Sequence, residues 1–350
     1  MPLLARMLAA PMIIDVRPGA ICGLGALLAD GRIATQGRVA VAVGPRQGDS
    51  IAAELKIDEA EIFRVPDGNH GSAVTLGKKL RAGAYEAVAG IGGGRTIDVT
   101  KFAAHMAGIP MVAVATSLGH DGIASPVSSL EHESGKGSYG VVMPVAVVVD
   151  LDRVRSAPGP LATAGIGDVV SKLSALADWE LSAADTGELL DGLAVAMART
   201  AAQAVLNQPG PARGDEFLQV LAEALILCGM AMAVAGSSRP CSGGDHEIMH
   251  AIDQLYPGTA SHGELAGLGA LFCAYLRDDP VQAELISGCL IRHGLPATPG
   301  DIGMSSAEFA RAVAFGPETR PGRYTILERL SMSEAETAKR VEEYVRAYAG

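Results

Sequence analysis

The sequence predicts an α/β domain built on a doubly wound parallel sheet, followed by an all-α domain. Over the first 150 residues, short apolar runs alternate with helical stretches, and few polar residues interrupt the runs. After about residue 160 only helical patterns continue. A segment rich in Pro, Gly and Ala, Arg155–Gly165, separates the two parts. We therefore place the domains at 1–160 and 161–350, with a cleft between them.

Each element of the first domain has a local signal. Uninterrupted apolar runs are typical of parallel strands covered on both faces, and they occur at Arg38–Val43, Ala87–Gly92, Met111–Thr116 and Val145–Leu151. Helical patterns lie between them at Gly71–Ala82 and Thr96–Ala107. The N-terminal apolar run is short and is followed by Asp15 and Arg17. That favours an ordinary first strand over a signal peptide.

The second domain is predicted from Ala- and Leu-rich segments with helical spacing. They lie at 166–182, 187–207, 214–236, 244–255, 263–277, 281–293, 306–315 and 333–349. The stretch Leu218–Gly236 is almost apolar enough to span a membrane, but Glu223 interrupts it. We therefore expect a buried helix and no membrane insertion.

Composition excludes several classes of protein. Of 350 residues, 49% are hydrophobic and 19% are charged, which excludes disorder as the dominant state. A formal net charge of −11 argues against a nucleic-acid partner, although it allows a small anionic substrate. The five cysteines are scattered without a CxxC pair. They predict reduced thiols in a cytoplasmic protein.

Two turns that follow predicted strands carry nucleotide-binding signals. Gly92, Gly93 and Gly94 open a predicted helix, where glycines let a diphosphate approach the free N–H groups of the first turn. A tight turn without a ligand is the alternative. The next strand ends in Thr116 and Ser117, whose hydroxyls can bind a nucleotide at the same edge of the sheet.

Three later positions predict a divalent-metal site. Asp168, His246 and His262 offer a carboxylate and two imidazoles, the donor types of a catalytic metal centre that leaves positions open for substrate. His246 and His250 also lie one helical turn apart in the sequence HEIMH, which matches the zinc-protease pattern HExxH. A zinc protease would leave the glycine-rich turn without a role. Single structural histidines are the other alternative.

Six segments resemble the glycerol-1-phosphate dehydrogenases, a branch of the superfamily of metal-dependent alcohol dehydrogenases, glycerol dehydrogenases and dehydroquinate synthases. They read GGGRTIDVTKFAAHMAGIPMVAVATS, HDGIASPVSSL, GDVVSKLSALADWEL, SSRPCSGGDHEIMHAID, SHGELAG and TRPGRYTILERL. The resemblance runs from about residue 12 to the C-terminus. It implies a dehydroquinate synthase-like fold, with a Rossmann-like domain before a helical one. It also implies an NAD(P)-dependent, metal-dependent oxidoreductase that interconverts dihydroxyacetone phosphate and sn-glycerol 1-phosphate in phospholipid metabolism.

The resemblance also assigns roles to single residues. The cofactor positions it implies are Gly92, Gly93, Gly94, Asp98, Thr116 and Ser117, and the metal ligands are Asp168, His246 and His262. Asp121 matches the acid that faces the substrate, and His250 lies behind the ligands. We expect Lys172 and Arg239 to hold the substrate phosphate, because Lys172 follows Asp168 by one helical turn and Arg can bind phosphate in a bidentate manner. The metal is expected to be Zn²⁺, with Ni²⁺ or Fe²⁺ as alternatives.

Two positions depart from the family pattern. Gly119 precedes His120-Asp121 where the family usually has Ser, and the strand before Gly44-Pro45-Arg46 lacks a following acid. An acid there binds the ribose 2′-hydroxyl of NAD, so its absence and the presence of Arg46 predict that NADPH is accepted at least as well as NADH.

Other functions remain open at this point. They are a dehydrogenase acting on another polyol or ketone, a sugar-phosphate cyclase of the dehydroquinate synthase type, and a nucleotide-binding protein without catalysis. Cyclases typically have Glu as the first metal ligand, where this chain has Asp168. We also expect a homo-oligomer.

Overall fold

The computed structural model describes residues 9–35, 37–45, 48–55, 60–132 and 135–348. The chain forms two compact units. The first comprises Met1–Ser117, Gly122–Ala157 and Gly229–Ser237, and the second comprises Leu118–Asp121, Pro158–Cys228 and Ser238–Gly350. The main division thus falls close to residue 160, but two short segments belong to the unit on the other side of it. A single boundary at residue 160 therefore does not fully separate the two units.

The first unit contains a parallel sheet covered by helices. In the described residues its six strands are β1 Ile13–Arg17, β2 Val39–Val43, β3 Glu61–Arg64, β4 Ala87–Gly92, β5 Met111–Ala115 and β8 Ala146–Asp150. They run in the order β1-β8-β5-β4-β2-β3, and all paired neighbours are parallel. The helices are α1 Leu24–Leu28, α2 Gly48–Glu54, α3 His70–Ala82, α4 Gly94–Ala107 and α5 Leu151–Ser156. The predicted α/β fold and its strands are confirmed.

The sequence patterns missed one strand of the sheet and a separate hairpin. Strand β3 lies at the sheet edge and is largely exposed, so it lacks the apolar run that marks the central strands. Strands β6 Val127–His132 and β7 Gly135–Gly140 form a separate two-stranded antiparallel sheet. Strand β7 is rich in Gly and polar residues, a composition that predicts turns.

The second unit is helical, as predicted. Its helices are α6 Gly165–Thr186, α7 Gly192–Asn207, α8 Asp215–Ala235, α9 Gly244–Leu255, α10 His262–Leu276, α11 Pro280–Arg292, α12 Ser306–Thr319, α13 Ile326–Leu330 and α14 Glu334–Tyr348; the last residues of α8 belong to the first unit. Among the described residues, α8 alone is long and apolar enough to cross a bilayer. Within its most apolar stretch, 67% is buried inside the protein, which is typical of a core helix.

Helices α6 and α10 approach each other at glycines. A Cβ on Gly167 would lie 2.2 Å from the carbonyl oxygen of Gly263, and a Cβ on Gly263 would lie 1.9 Å from that of Ala164. No side chain fits at these contacts, because the obstructing atoms are backbone. Glycine therefore allows two helix N-termini to come together, and these carry Asp168 and His262.

We expect Gly263→Ala to destabilise the protein by about 1–3 kcal/mol, the usual cost of overpacking, and to separate the two helix N-termini. The matched control is Gly288→Ala in α11, which is exposed and has no heavy atom within 4 Å of the added Cβ. That variant should gain roughly 0.5–1 kcal/mol through helix propensity. Denaturant unfolding measures both. Equal stability of the two variants would contradict the close-packing argument.

Candidate active site

Three predicted ligands converge in the second unit. One donor atom from each of Asp168, His246 and His262 lies within 4.8 Å of the other two. The Nε2 atoms of both histidines are 3.6 Å from Asp168 Oδ1. Asp168 lies in the first turn of α6, His246 near the start of α9, and His262 is the first residue of α10. The start of each helix thus presents one predicted ligand to a common point.

The donor set fits a divalent metal ion. Zinc bonds of about 2.0–2.1 Å at tetrahedral angles place ligand atoms roughly 3.3 Å apart, close to the spacing found here. His246 Nδ1 is bonded to the Asp245 carboxylate, which leaves Nε2 as the atom that faces Asp168. A carboxylate behind a histidine fixes the ring and its tautomer in this way at many metal centres.

Protonation of the three ligands is set by burial and by their neighbours. Burial raises the pKa of Asp168, but Lys172 and hydrogen bonds with the histidines outweigh it, so that the pKa falls well below its usual value. Burial lowers the pKa of His262, which keeps its imidazole neutral, as metal binding requires. Burial also lowers the pKa of His246, but Asp245 and Asp168 overcome this effect and raise it.

Lys172 and Asp121 adjoin the ligand set. The fully buried Lys172 ammonium lies 2.7 Å from Asp168 Oδ1 and 3.0 Å from Asp121 Oδ2. The backbone N–H of Asp121 donates to Asp168 Oδ2 at 2.8 Å. Burial lowers the pKa of Lys172, but the two carboxylates raise it well above its usual value. Lys172 is therefore a charged, buried partner of both acids.

The structure argues against the zinc-protease alternative. Glu247, which would be the general base of that motif, is fully buried and accepts a hydrogen bond from Thr325 Oγ1 at 3.0 Å. Burial and Glu328 raise its pKa to about 9, so it is neutral near pH 7. His250 is not in the ligand group; its Nε2 lies 2.8 Å from an Arg320 nitrogen.

Arg239 is occupied by protein groups. Its guanidinium contacts Glu188 Oε1 at 2.8 Å and the Tyr324 carbonyl at 3.0 Å, and it is only 7% exposed. The predicted contact between Arg239 and a substrate phosphate would have to compete with this ion pair. The structure favours a role for Arg239 in holding Glu188 and the segment around Tyr324.

The first unit brings the two predicted cofactor turns together. The Thr116 N–H donates to the Gly92 carbonyl at 3.0 Å, and a Cβ on Gly93 would lie 3.0 Å from Ser117 Oγ. Gly92 has φ 158°, a backbone conformation that favours glycine. Helix α4 begins at Gly94 without a side-chain cap, so its first N–H groups are suited to an anion such as a diphosphate.

Asp98 differs from the other predicted cofactor residues. Its side chain is buried and pairs with the fully buried Lys101, whose Nζ lies 3.1 Å away. Lys101 also donates to the Gly122 carbonyl at 2.7 Å and to the Ser125 carbonyl at 3.2 Å. This geometry gives Asp98 a part in anchoring the segment after Asp121. Direct contact between Asp98 and a cofactor stays a prediction.

Sequence reasoning missed several residues of the second unit. Asp245 holds His246, and the ring of His120 lies 4.9 Å from that of His262 between centroids. Arg320 and Arg323 lie near His250 and Ser238. Each belongs to a segment that the sequence had already marked, but only contacts between distant residues show which side chains face the site. Arg46 and its predicted role lie outside the described residues.

Comparisons with known proteins agree with this arrangement. Residues 15–158 match the iron-containing alcohol dehydrogenase family. A glycerol-1-phosphate dehydrogenase from Thermofilum pendens is 42% identical over 71% of this chain and 72% of its own length. One from Cenarchaeum symbiosum is 38% identical over 76% and 75%.

Solved structures share the fold at low sequence identity. Glycerol dehydrogenase from Schizosaccharomyces pombe has a TM-score of 0.74 at 17% identity, over 98% of this chain and 92% of that one. Sulfoacetaldehyde reductase from Bifidobacterium kashiwanohense, in complex with NAD⁺, has a TM-score of 0.71 at 16% identity, over 97% and 99%.

We expect His262→Ala to weaken binding of a divalent metal by more than about 100-fold, because loss of a group behind a ligand alone costs about 10–100-fold. The matched control is His105→Ala, an exposed histidine in α4 of the first unit. Metal content after dialysis, measured by plasma mass spectrometry, compares the two. A His262→Ala protein that keeps wild-type metal content would exclude His262 as a ligand.

Proposed function

The chain belongs to the glycerol-1-phosphate dehydrogenase family, and we propose that it interconverts dihydroxyacetone phosphate and sn-glycerol 1-phosphate with NAD(P)H. The observation that carries this proposal is the Asp168, His246 and His262 group with Lys172 and Asp121 against it. A carboxylate and two imidazoles for a metal, beside a second carboxylate for a substrate hydroxyl, suit the reduction of a small hydroxyketone.

Asp168, His246 and His262 would hold the metal, which supplies Lewis acidity toward the carbonyl oxygen of the substrate. The formal charges of Asp168, Asp121 and Lys172 sum to one negative charge. With a divalent cation bound the sum would be positive, so this buried group would favour negative charge on the substrate oxygen. Zn²⁺ is the proposed metal for this donor set, and Ni²⁺ and Fe²⁺ are the alternatives.

Asp121 and His250 are the proposed polar contacts of the substrate. Lys172 Nζ lies 3.0 Å from Asp121 Oδ2, and the Asp121 carboxylate can accept a hydrogen bond from a substrate hydroxyl. A guanidinium can only donate; His250 therefore accepts from Arg320 at Nε2 and carries its proton on Nδ1 when neutral. That N–H can donate to a substrate oxygen.

The glycine turn of the first unit would bind the nicotinamide cofactor, which supplies or accepts the hydride. Gly92, Gly93 and Gly94 present backbone N–H groups to the diphosphate, and Thr116 and Ser117 offer hydroxyls from the neighbouring strand end. That NADPH is accepted at least as well as NADH stays a prediction, as do a homo-oligomeric state and a cytoplasmic location. The relatives do not favour the sugar-phosphate cyclase or an alternative polyol as substrate.

We expect the metal-loaded protein to oxidise NAD(P)H with dihydroxyacetone phosphate at a kcat/KM at least tenfold above that for dihydroxyacetone. The reason is that binding of a dianionic phosphate adds charge-assisted contacts that the unphosphorylated ketone cannot make. Reduced-nicotinamide absorbance measures both reactions. A preference for dihydroxyacetone would indicate a plain glycerol dehydrogenase, and turnover of a sugar phosphate without net cofactor consumption would indicate a cyclase.

A further inference from the structure

Two arginines of the second unit converge on one neutral oxygen. Arg320 Nη1 donates to Ser238 Oγ at 3.1 Å, and Arg323 Nη2 donates to the same atom at 2.9 Å. Arg323 also donates to the Ser242 carbonyl. Within the part of the chain that the structure describes, neither guanidinium forms an ion pair with a carboxylate. The hydrogen bonds of this arginine pair to Ser238 and Ser242 thus go to neutral oxygens, and the Asp245 carboxylate acts on both arginines only through space.

This environment leaves the pair without full charge compensation. Both side chains are partly buried. Burial, together with the charges of Arg320 and Arg239, lowers the pKa of Arg323 to about 10. Burial also lowers the pKa of Arg320. An anion placed between the two guanidinium groups would relieve their repulsion and restore the solvation they have lost.

Lys172 and Arg239, the two cations that the sequence predicted to hold the phosphate, are already paired with carboxylates. Lys172 is neutralised by Asp121 and Asp168, and Arg239 by Glu188. A phosphate bound to either would have to displace a carboxylate from it. Phosphate binding to the arginine pair displaces no carboxylate. Two planar guanidinium groups can donate hydrogen bonds to several oxygens of one phosphate.

The pair also reaches the face of α9 that carries a metal ligand. Arg320 contacts His250 Nε2 at 2.8 Å. His250 follows His246 by one helical turn, and their ring centroids are 6.4 Å apart. In dihydroxyacetone phosphate, the carbon that carries the phosphate ester is next to the carbonyl carbon. A substrate with its carbonyl near the predicted metal ligands would therefore place its phosphate a short distance away. That distance is comparable with the separation between the rings of His246 and His250.

We infer that Arg320 and Arg323, with Ser238 between them, form the phosphate subsite of the substrate, in place of Lys172 and Arg239. This inference rests on the proposed function and assigns its specificity to residues that the sequence patterns did not select. The site takes a phosphate monoester dianion, and it distinguishes phosphorylated from unphosphorylated ketones through these two side chains.

The test compares Arg323→Gln with wild type on dihydroxyacetone phosphate and on dihydroxyacetone. We expect kcat/KM for the phosphorylated ketone to fall about 10- to 100-fold, the effect of losing a charge-assisted contact, while the value for the unphosphorylated ketone changes less than twofold. Arg323→Lys should recover part of the loss, because it keeps the charge. Arg329→Gln, an exposed arginine paired with Asp185, is the matched control and should leave both values unchanged.

A folding defect lowers kcat/KM for both ketones alike, so it leaves the ratio of the two kcat/KM values unchanged. Equal losses on both ketones in Arg323→Gln, or no loss on either, would overturn the subsite. Calorimetric titration with inorganic phosphate, in the absence of nicotinamide, separates this result from failure of the proposed reaction. Wild type that binds phosphate more than tenfold tighter than Arg323→Gln, yet does not prefer the phosphorylated ketone in turnover, would retain the subsite and refute the reaction. Equal phosphate affinity in the two proteins would refute the subsite.

Discussion

The burial of the Asp168 carboxylate is the constraint on which the candidate site depends. An ionised acid with no solvent exposure is costly unless charges and hydrogen bonds replace its water. The Lys172 ammonium donates to Asp168 Oδ1 at 2.7 Å and the Asp121 N–H donates to Oδ2 at 2.8 Å, which supplies part of that replacement. The two imidazoles face Oδ1. A divalent cation would complete it. Burial of this carboxylate, which would destabilise an ordinary core, therefore favours binding of a metal ion.

Glycine packing makes this concentration of charge possible. Gly167 and Gly263 allow α6 and α10 to meet through their backbones, so Asp168 and His262 can share one ion. In the first unit, Gly92 and Gly93 play a comparable part by leaving space beside Thr96 and Ser117. In both units, small residues at the start of a helix create the room that a ligand needs.

Much of this architecture could be predicted from the sequence because it depends on local signals. The buried strands carry unbroken apolar runs, and the long helices carry regular spacing. The ligand set was predicted by its donor types together with a family resemblance. Strand β3 and the β6–β7 hairpin escaped because exposed or glycine-rich strands carry no such run.

The roles of individual cations were harder to predict, because the neighbours that neutralise a charge are distant in sequence. Arg239 and Arg323 are both arginines in glycine- and proline-containing segments. Only the fold reveals that Arg239 meets Glu188, whereas Arg323 meets Ser238. In the same way, Lys172 has one acid within its own helix, but its second acid, Asp121, precedes it by many residues and is brought close only by folding.

The central claim is that Asp168, His246 and His262 together hold one divalent metal ion with positions left for substrate. X-ray absorption spectroscopy of the zinc-loaded protein tests it most directly. The account predicts two imidazole nitrogens at about 2.0–2.1 Å and carboxylate or water oxygens at about 2.0–2.2 Å, with the oxygen shell changing when dihydroxyacetone phosphate is added and the imidazoles unchanged. Sulfur scattering near 2.3 Å, or fewer than two imidazoles, would contradict it.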